Sequence, residues 1–220
     1  MTANSAISGP HRDPVSGDSP RQLIVFLHGW GADGNDLIGL AVGWSVRLPT
    51  ARFVAPHAPQ SCEANPFGRQ WFSLADTDPE VMSAGAARAA PVINQFIDQE
   101  MARFDLSDER LALVGFSQGT MMALYVALRR PRTCAAVVGY SGALVGSETL
   151  APATRSRPPI LLVHGDADPI VPASLLPAAA DALERLAVPV RTHVVPGLGH
   201  GIDPTGLELG IEFLASAFAR

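Results

Sequence analysis

The sequence lacks several features that indicate particular classes of protein. It contains no lysine, and all 16 of its basic residues are arginines. Together with the abundant alanine, we interpret this as a coding bias rather than as chemistry. Charged residues make up 17% of the chain, the formal net charge is −5, and no basic cluster occurs. This pattern excludes the polybasic surfaces typical of proteins that bind nucleic acid or anionic membranes.

Cysteines, targeting segments and membrane spans are also scarce or missing. The two cysteines, Cys62 and Cys134, fit free thiols in a reducing compartment, and no Cys/His cluster has the spacing of a metal site. Residues 1–20 are polar and contain no apolar core of a signal peptide. No stretch approaches the ~20 apolar residues that a membrane span needs. We therefore expect a soluble cytoplasmic protein without a metal ion.

The chain of 220 residues is long enough for one α/β domain with a sizeable core. We expect a single domain over residues 21–220, preceded by a polar segment, 1–20, that is mobile or forms a short edge strand near Ile7. Apolar runs alternate with stretches of helical periodicity, which indicates a mostly parallel central sheet with helices on both faces. Strands are predicted at 23–27, 52–56, 112–116, 135–140, 160–164 and 188–195, and helices at 36–47, 91–104, 120–130, 174–186 and 207–217.

One long segment, residues 61–86, shows neither kind of periodicity. Loops of this length often serve as lids or binding loops, but a surface excursion without a function is an equal alternative. The large apolar residues of the segment are concentrated at Phe67, Trp71, Phe72 and Leu74. They are enough to wall a short pocket.

The most informative motif is Gly-Phe-Ser-Gln-Gly at residues 115–119, between an apolar run and a helix-like stretch. A G-x-S-x-G motif in this context is typical of a nucleophile elbow, a strained strand-to-helix turn that exposes a serine. The flanking positions must be small because two backbones pass close together there. The motif alone is a weak indicator of catalysis, since a Gly-rich turn with a non-catalytic serine gives the same pattern. Ser117 therefore needs a base and an acid to qualify as a nucleophile.

Candidates for both partners follow Ser117 in the order acid, then histidine, that serine hydrolases of the α/β type use. Asp166 and Asp168 lie in the loop after the strand predicted at 160–164, and His200 lies in the Gly-rich loop after the last strand. Position alone does not choose between the aspartates. Asp168 precedes a proline, which favours the extended backbone of a side chain that reaches to another loop. Asp166 suits hydrogen bonds to the N–H groups of a turn.

The oxyanion that develops in acyl transfer needs hydrogen-bond donors aimed at it. We expect one from the backbone N–H of Gln118, which follows the nucleophile at a helix N-terminus. The second is expected from the backbone N–H of Trp30, in the loop after the first strong strand. The indole of Trp30 is also a candidate pocket wall. His28 and His164, each before a glycine at a strand end, are expected to brace loops by hydrogen bonds.

Six motifs together resemble the phospholipase/carboxylesterase family of small α/β hydrolases, which includes acyl-protein thioesterases and bacterial carboxylesterases. They run in the family's order from about residue 21 to the C-terminus. These are LHGWGADG at 27–34, PHAP at 56–59, QWF at 70–72, GFSQG at 115–119, HGDADPIVP at 164–172 and GH at 199–200.

The resemblance implies an α/β-hydrolase fold with little or no lid, hydrolysis of acyl esters or thioesters, and often a homodimer. It also implies that Asp168 is the triad acid and that Trp71 lies near the acyl site, where Phe72 would add to the pocket. Thr120 departs from the pattern, because many relatives carry a further glycine there. This departure could narrow the site slightly.

These inferences predict a serine carboxylesterase that acts on short- to medium-chain acyl esters through Ser117, His200 and Asp168, with no cofactor. The alternative among enzymes is a lysophospholipase or a protein depalmitoylase, which would need a long apolar acyl channel. The alternative from another class is a non-catalytic binding module on the same fold. A complete set of serine, histidine and aspartate argues against that last reading.

Overall fold

The computed structural model describes residues 6–219, in which nine β-strands alternate with seven α-helices and two 3₁₀ turns. The strands are β1 His11–Arg12, β2 Gln22–Leu27, β3 Ala51–Val54, β4 Gln60–Ser61, β5 Arg69–Gln70, β6 Leu111–Phe116, β7 Ala136–Tyr140, β8 Ile160–Gly165 and β9 Val190–Val195. The helices are α1 Gly34–Ile38, α2 Ala41–Arg47, α3 Pro79–Arg103, α4 Gln118–Arg129, α5 Leu150–Ala153, α6 Leu175–Glu184 and α7 Pro204–Phe218.

Seven strands form one sheet in the order β1-β3-β2-β6-β7-β8-β9, and β4 and β5 form a separate antiparallel hairpin. From β3 to β9 in this order, each strand pairs in parallel with its neighbour. At the other edge, β1 pairs antiparallel with β3. The prediction of a mostly parallel sheet is confirmed. Because parallel strands end at the same edge, the loops after β2, β6, β8 and β9 come together there.

The five central strands of the sheet are buried on both faces, as their apolar sequences predicted, whereas the edge strands β1 and β9 are largely exposed. In β2, Leu23, Val25 and Leu27 belong to the core that contains residues of α3, α4 and α6. Ile24 and Phe26 belong to the core that contains residues of α1, α2 and α7. Strands covered on both sides need near-continuous apolar runs, which is why these strands are recognisable in the sequence.

Two of the predicted helices are either divided in the structure or differ from it by more than three residues at one end. The helix expected at 36–47 is interrupted at Gly39 and Leu40, so that α1 and α2 are separate elements. The helix expected to begin at 91 begins at Pro79 instead. Asp78 caps it by accepting a hydrogen bond from the N–H of Glu80 at 2.9 Å, and proline is favourable in a first turn. Pro91 is therefore an internal residue of α3 and not its first turn.

The segment predicted to be irregular, 61–86, is only partly so, because it contains β5 and the first turns of α3. In the N-terminal segment, β1 forms the sheet edge, while Ile7 lies just before it and packs half-buried against the core. The buried guanidinium of Arg52 contacts the Asp13 carboxylate and ties this segment down. Residues 1–5 of the predicted mobile segment lie outside the described residues.

Candidate active site

Ser117 lies at the turn between β6 and α4, at the carboxyl edge of the sheet. Its backbone has φ 54° and ψ −117°, in the positive-φ region that residues with a side chain rarely adopt. The turn is held by a hydrogen bond of 2.9 Å from the Ser117 N–H to the carbonyl of Tyr140 on β7. The local geometry is thus that of a strained strand-to-helix elbow.

The glycines on either side of Ser117 are required by close backbone contacts. A Cβ at Gly119 would overlap the carbonyl oxygen of Leu27, and a Cβ at Gly115 would overlap the backbone of Gly119. The start of α4 therefore packs directly on the end of β2, where the loop with Trp30 begins. This packing places the loop that carries Trp30 beside the first turn of α4, which carries Gln118.

Asp168 and His200 are brought together by the loops after β8 and β9. The Nδ1 of His200 lies 2.8 Å from Oδ2 of Asp168, which fixes the proton on Nδ1 and leaves Nε2 free. The other carboxylate oxygen of Asp168 accepts hydrogen bonds from the N–H groups of Ile170 and Val171. Burial alone would raise the pKa of Asp168, but the hydrogen bonds that its two oxygens accept outweigh burial and lower that pKa.

Asp166 has a different role from Asp168, because it contacts the backbone of the histidine loop. Its Oδ1 accepts a hydrogen bond from the N–H of Gly197 at 2.6 Å. Ser141, which the sequence analysis did not single out, donates its hydroxyl to the carbonyl of Gly201 at 3.0 Å. The loop that holds His200 is therefore fixed on both sides of that residue.

The imidazole of His200 lies beside the nucleophile elbow. Its ring centroid is 4.9 Å from that of Phe116, the residue before Ser117. Within residues 6–219 the Ser117 hydroxyl makes no hydrogen bond, so the Ser117–His200 contact is not formed in this conformation. Catalytic hydrogen bonds are often long in ligand-free structures and tighten when the substrate binds.

Two backbone N–H groups near Ser117 have no partner in the described part of the chain. Gln118 is the first residue of α4, so its N–H lacks an acceptor within the helix. The N–H of Trp30 likewise donates to no group among residues 6–219. A Cβ at Gly29, the residue before Trp30, would lie 3.4 Å from Cβ of Ser117, so this loop contacts the elbow directly.

Comparison with known proteins agrees with this geometry. The phospholipase/carboxylesterase family model matches residues 15–218. The chain belongs to this family. The α/β-hydrolase fold predicted from the sequence is confirmed, and the protein is a hydrolase of the ester and thioester class on which the family acts.

The individual relatives include a thioesterase and esterases. The chain is 34% identical over 170 residues to acyl-protein thioesterase 1 of Schizosaccharomyces pombe, spanning 73% of this chain and 74% of that protein. It is 28% identical over 201 residues to esterase YpfH of Escherichia coli, spanning 90% of this chain and 84% of that protein. The crystal structure of esterase PE8 superposes with a TM-score of 0.92 at 41% identity, covering 96% and 99% of the two chains.

In this family member, Trp71 and Phe72 lie in the hydrophobic core, with exposed fractions of 0% and 2%. In this conformation neither ring faces an open pocket, contrary to the wall that the sequence predicted. Trp71 instead donates its indole N–H to the carbonyl of His28 at 2.9 Å. Trp30 is half-buried, and its indole donates to Oε1 of Gln70 at 2.9 Å. Of the three predicted pocket residues, Trp30 is the one that reaches the surface.

The Gln118 side chain was missed by sequence reasoning, which considered only its backbone N–H. The side chain is fully buried and hydrogen-bonded to the backbone of residues 71 and 72. A buried amide needs partners for both its oxygen and its nitrogen. The signal was a glutamine in the first turn of an otherwise apolar helix, although its partners could not be read from the sequence.

The expectation that His28 and His164 brace loops is confirmed. The Nδ1 of His28 lies 2.8 Å from the carbonyl oxygen of Gly29, and its Nε2 accepts a hydrogen bond from the N–H of Ala58 at 3.0 Å. His164 donates from Nε2 to the carbonyl of Val171 at 2.9 Å, and the same nitrogen lies 3.2 Å from a carboxylate oxygen of Asp168.

Thr120 does not reach the surface of the site. Its side chain is 1% exposed and its hydroxyl donates to the carbonyl of Tyr140 at 2.8 Å. A Cβ at Gly139 or Gly142 would overlap the Thr120 side chain, so small residues face it. Any narrowing of the site by Thr120 would therefore be indirect.

Across residues 6–219, no group of three His, Cys, Asp or Glu side chains is arranged to hold a metal ion. None of the helices described in this range has the length and apolar character needed to cross a membrane.

Proposed function

We propose that this protein is a serine carboxylesterase that hydrolyses short- to medium-chain acyl esters through Ser117, His200 and Asp168. The observation that carries the proposal is the 2.8 Å contact between Asp168 and Nδ1 of His200, beside the strained elbow at Ser117. It supports a histidine whose Nε2 is free to accept a proton. A serine hydroxyl needs such a base to act as a nucleophile at neutral pH.

In the first half of the proposed reaction, Oγ of Ser117 attacks the acyl carbonyl carbon while Nε2 of His200 takes the hydroxyl proton. The negative charge moves to the carbonyl oxygen, where the N–H groups of Trp30 and Gln118 stabilise it. When the tetrahedral intermediate collapses, the bond to the alcohol or thiol breaks and His200 returns its proton to that leaving group. The product is an acyl ester of Ser117.

In the second half, a water molecule attacks the acyl carbon while Nε2 of His200 takes one of its protons. The same two N–H groups stabilise the second oxyanion. Collapse breaks the bond to Ser117, whose Oγ regains the proton from His200, and the carboxylic acid leaves. Throughout, the Asp168 carboxylate keeps the Nδ1 proton in place and stabilises the imidazolium.

The interior next to the elbow supports a preference for short acyl groups. A cavity of about 10 Å³ lies between the start of α4 and α6, lined by Thr120, Leu124, Gly142 and Leu176 among others. That volume holds about one water molecule, so this cavity itself cannot take up a long acyl chain. Trp71 and Phe72 are buried in the core, so Trp30 is the one of the three predicted pocket aromatics that reaches the surface.

The second candidate is an acyl-protein thioesterase or lysophospholipase. The similarity to acyl-protein thioesterase 1 of Schizosaccharomyces pombe favours it. Oxygen and sulfur leaving groups use the same acyl-enzyme chemistry, so the two candidates differ in the length of acyl chain that the site accepts.

The test is a series of acyl esters from acetyl to palmitoyl, with matched thioesters, assayed with wild type and Ser117→Ala. We expect kcat/KM to be highest for short to medium chains and to disappear in the variant. A kcat/KM that climbs steadily to palmitoyl would favour the thioesterase. Turnover of all substrates by Ser117→Ala at the wild-type rate would exclude the serine mechanism. The homodimer and the cytoplasmic location remain predictions.

A further inference from the structure

We propose that His28, Trp71 and the side chain of Gln118 are positioning residues that fix both oxyanion donors through one buried hydrogen-bonded bridge. We call it the Gln118–Trp71–His28 bridge. The inference rests on the proposed function, because it assigns a purpose to groups that support the N–H of Trp30 and the N–H of Gln118.

The bridge starts at Gln118, whose backbone supplies one donor. Its side-chain Oε1 accepts a hydrogen bond from the N–H of Trp71 at 2.9 Å, and its Nε2 donates to the carbonyl of Phe72 at 2.8 Å. Both ends of the amide are thus occupied by the same short stretch of backbone. This fixes the Gln118 side chain and ties the first turn of α4 to residues 71 and 72.

Trp71 connects that stretch to the loop with the second donor. Its indole N–H donates to the carbonyl oxygen of His28 at 2.9 Å, and its ring packs on the His28 ring with the centroids 5.2 Å apart. Trp71 is completely buried, so the hydrogen bond has no competition from water. The peptide between His28 and Gly29 is therefore held in place by α4 through Trp71.

The His28 ring fixes the next peptide, which contains the Trp30 N–H. Because the N–H of Ala58 donates to Nε2 of His28, the ring proton is on Nδ1, which donates to the carbonyl of Gly29 at 2.8 Å. The peptide between Gly29 and Trp30 is trans, since residues 6–219 contain no cis peptide bond. In a trans peptide the N–H points away from the carbonyl. The bond to Gly29 therefore sets the direction of the Trp30 N–H.

Burial keeps this arrangement in a single protonation state. His28 has no exposed surface, and its burial lowers the pKa of the ring to about 4. Of the nearby charged groups, Asp33 raises this pKa, whereas His57 and Arg69 lower it. At neutral pH the ring is neutral with one defined tautomer. Donors that are fixed before the reaction cost no reorganisation when the oxyanion forms, which is how such groups accelerate acyl transfer.

The sharpest test removes the central hydrogen bond while keeping an aromatic ring, in the variant Trp71→Phe. The matched control is Trp44→Phe, because Trp44 is also buried, but in the core on the other face of the sheet. For each protein we would measure kcat and KM with a short ester, and Ki for a short alkyl trifluoromethyl ketone. Such a ketone reacts with the serine hydroxyl to give a tetrahedral adduct that needs the oxyanion donors.

We expect Trp71→Phe to lower kcat and to raise Ki by the same factor, about 10- to 100-fold, with KM changed less than about twofold. Trp44→Phe should leave all three constants within about twofold, even if it lowers the melting temperature. Unchanged kcat and Ki for folded Trp71→Phe would overturn the inference, since Trp71 would then be a core residue only. A wild type that the ketone does not inhibit would instead contradict the proposed function.

The variant Gln118→Met tests the other end of the bridge, and decides the question by itself if Trp71→Phe does not fold. It keeps the backbone donor and a similar volume but removes both side-chain hydrogen bonds. We expect the same parallel change in kcat and Ki, and a double variant little worse than the more impaired single one. Losses that multiply in the double variant would show two independent supports and contradict a single bridge.

Discussion

The two halves of the active site are held in place by different means. The nucleophile half consists of Ser117, Gln118, Trp30, Trp71 and His28, and three of these, Gln118, Trp71 and His28, are completely buried. The histidine half consists of Asp166, Asp168 and His200 on the loops after β8 and β9. There the His200 side chain is 18% exposed, and the loop is fixed by hydrogen bonds from its backbone.

The difference follows from what each half must do. The N–H groups that donate to the oxyanion must keep one orientation. A buried network of hydrogen-bonded groups provides this, because a buried polar group that loses its hydrogen bond raises the free energy of the fold. The base has to exchange protons with Ser117, with a leaving group and with water. A partly exposed imidazole on a braced loop meets that need. The predictions below test each half in turn, from the largest expected effect to the smallest.

The largest effect is expected at the nucleophile itself. Ser117→Ala removes the attacking oxygen and should lower kcat by about 10⁴- to 10⁶-fold, as losses in catalytic triads do. The protein should remain folded, since Ser117 Oγ makes no hydrogen bond among the described residues. Steady-state kinetics with circular dichroism would check both points. A variant that keeps a tenth of the wild-type turnover would remove Ser117 from the mechanism.

In the histidine half, replacing aspartate by asparagine should lower activity at one position and mainly stability at the other. Asp168→Asn should favour the wrong tautomer of His200 and lower kcat by about 10⁴-fold, by analogy with serine proteases. Asp166→Asn is the matched control in the same loop. It weakens one hydrogen bond to Gly197 and should cost about 1 kcal/mol of stability with most of the turnover kept. Loss of turnover in a well-folded Asp166→Asn, with Asp168→Asn spared, would reverse the assignment.

The nucleophile half should lose stability in acid. Unfolding exposes His28, which then binds a proton below its ordinary pKa of 6.5, whereas the folded state stays neutral down to a pKa of about 4. Between these values the unfolded state binds more protons, so the free energy of unfolding falls as the pH falls, by up to about 3 kcal/mol. Urea unfolding from pH 7 to 4 measures this. If His28→Asn shows the same pH slope as wild type, another group is responsible.

The smallest effect is expected at Thr120. Thr120→Val keeps the shape of the side chain but removes its hydrogen bond to Tyr140, at a cost of about 1 kcal/mol. Because the side chain is buried away from the surface of the site, kcat/KM for short esters should stay within about twofold. Thermal melts and the acyl-length series measure both. A shift of the preferred acyl length in this variant would show that Thr120 narrows the site.

The part of the site that could be predicted is the part that local patterns determine. The apolar strand Leu111–Phe116 followed by G-x-S-x-G predicts the elbow, because close backbone contacts leave room only for glycine at positions 115 and 119. The position of His200 follows from a Gly-rich loop after the last strand. The predicted start of α3 at residue 91 is wrong because proline favours a first turn, whereas Asp78 and Pro79 provide the real start and Pro91 lies inside the helix.

The role of Trp71 could not be predicted in this way. An isolated tryptophan in a mostly polar segment suggests a pocket wall, but its neighbours in space come from elsewhere in the chain. Its N–H bonds to Gln118, 47 residues away, and its indole bonds to His28, 43 residues away. A Cβ at Gly85 in α3 would crowd the ring of Phe72, the residue after Trp71, so this stretch of chain also packs closely against α3. Such contacts depend on the assembled fold.

The most direct test of the mechanism is labelling with a fluorophosphonate, followed by intact-mass measurement and peptide mapping. An activated serine attacks phosphorus and displaces fluoride, so wild type should gain one phosphonyl group on Ser117 and lose its esterase activity in step. Ser117→Ala should gain none at that site. An unlabelled wild-type protein that nevertheless hydrolyses esters, or a label that abolishes activity from a residue other than Ser117, would contradict the proposed mechanism.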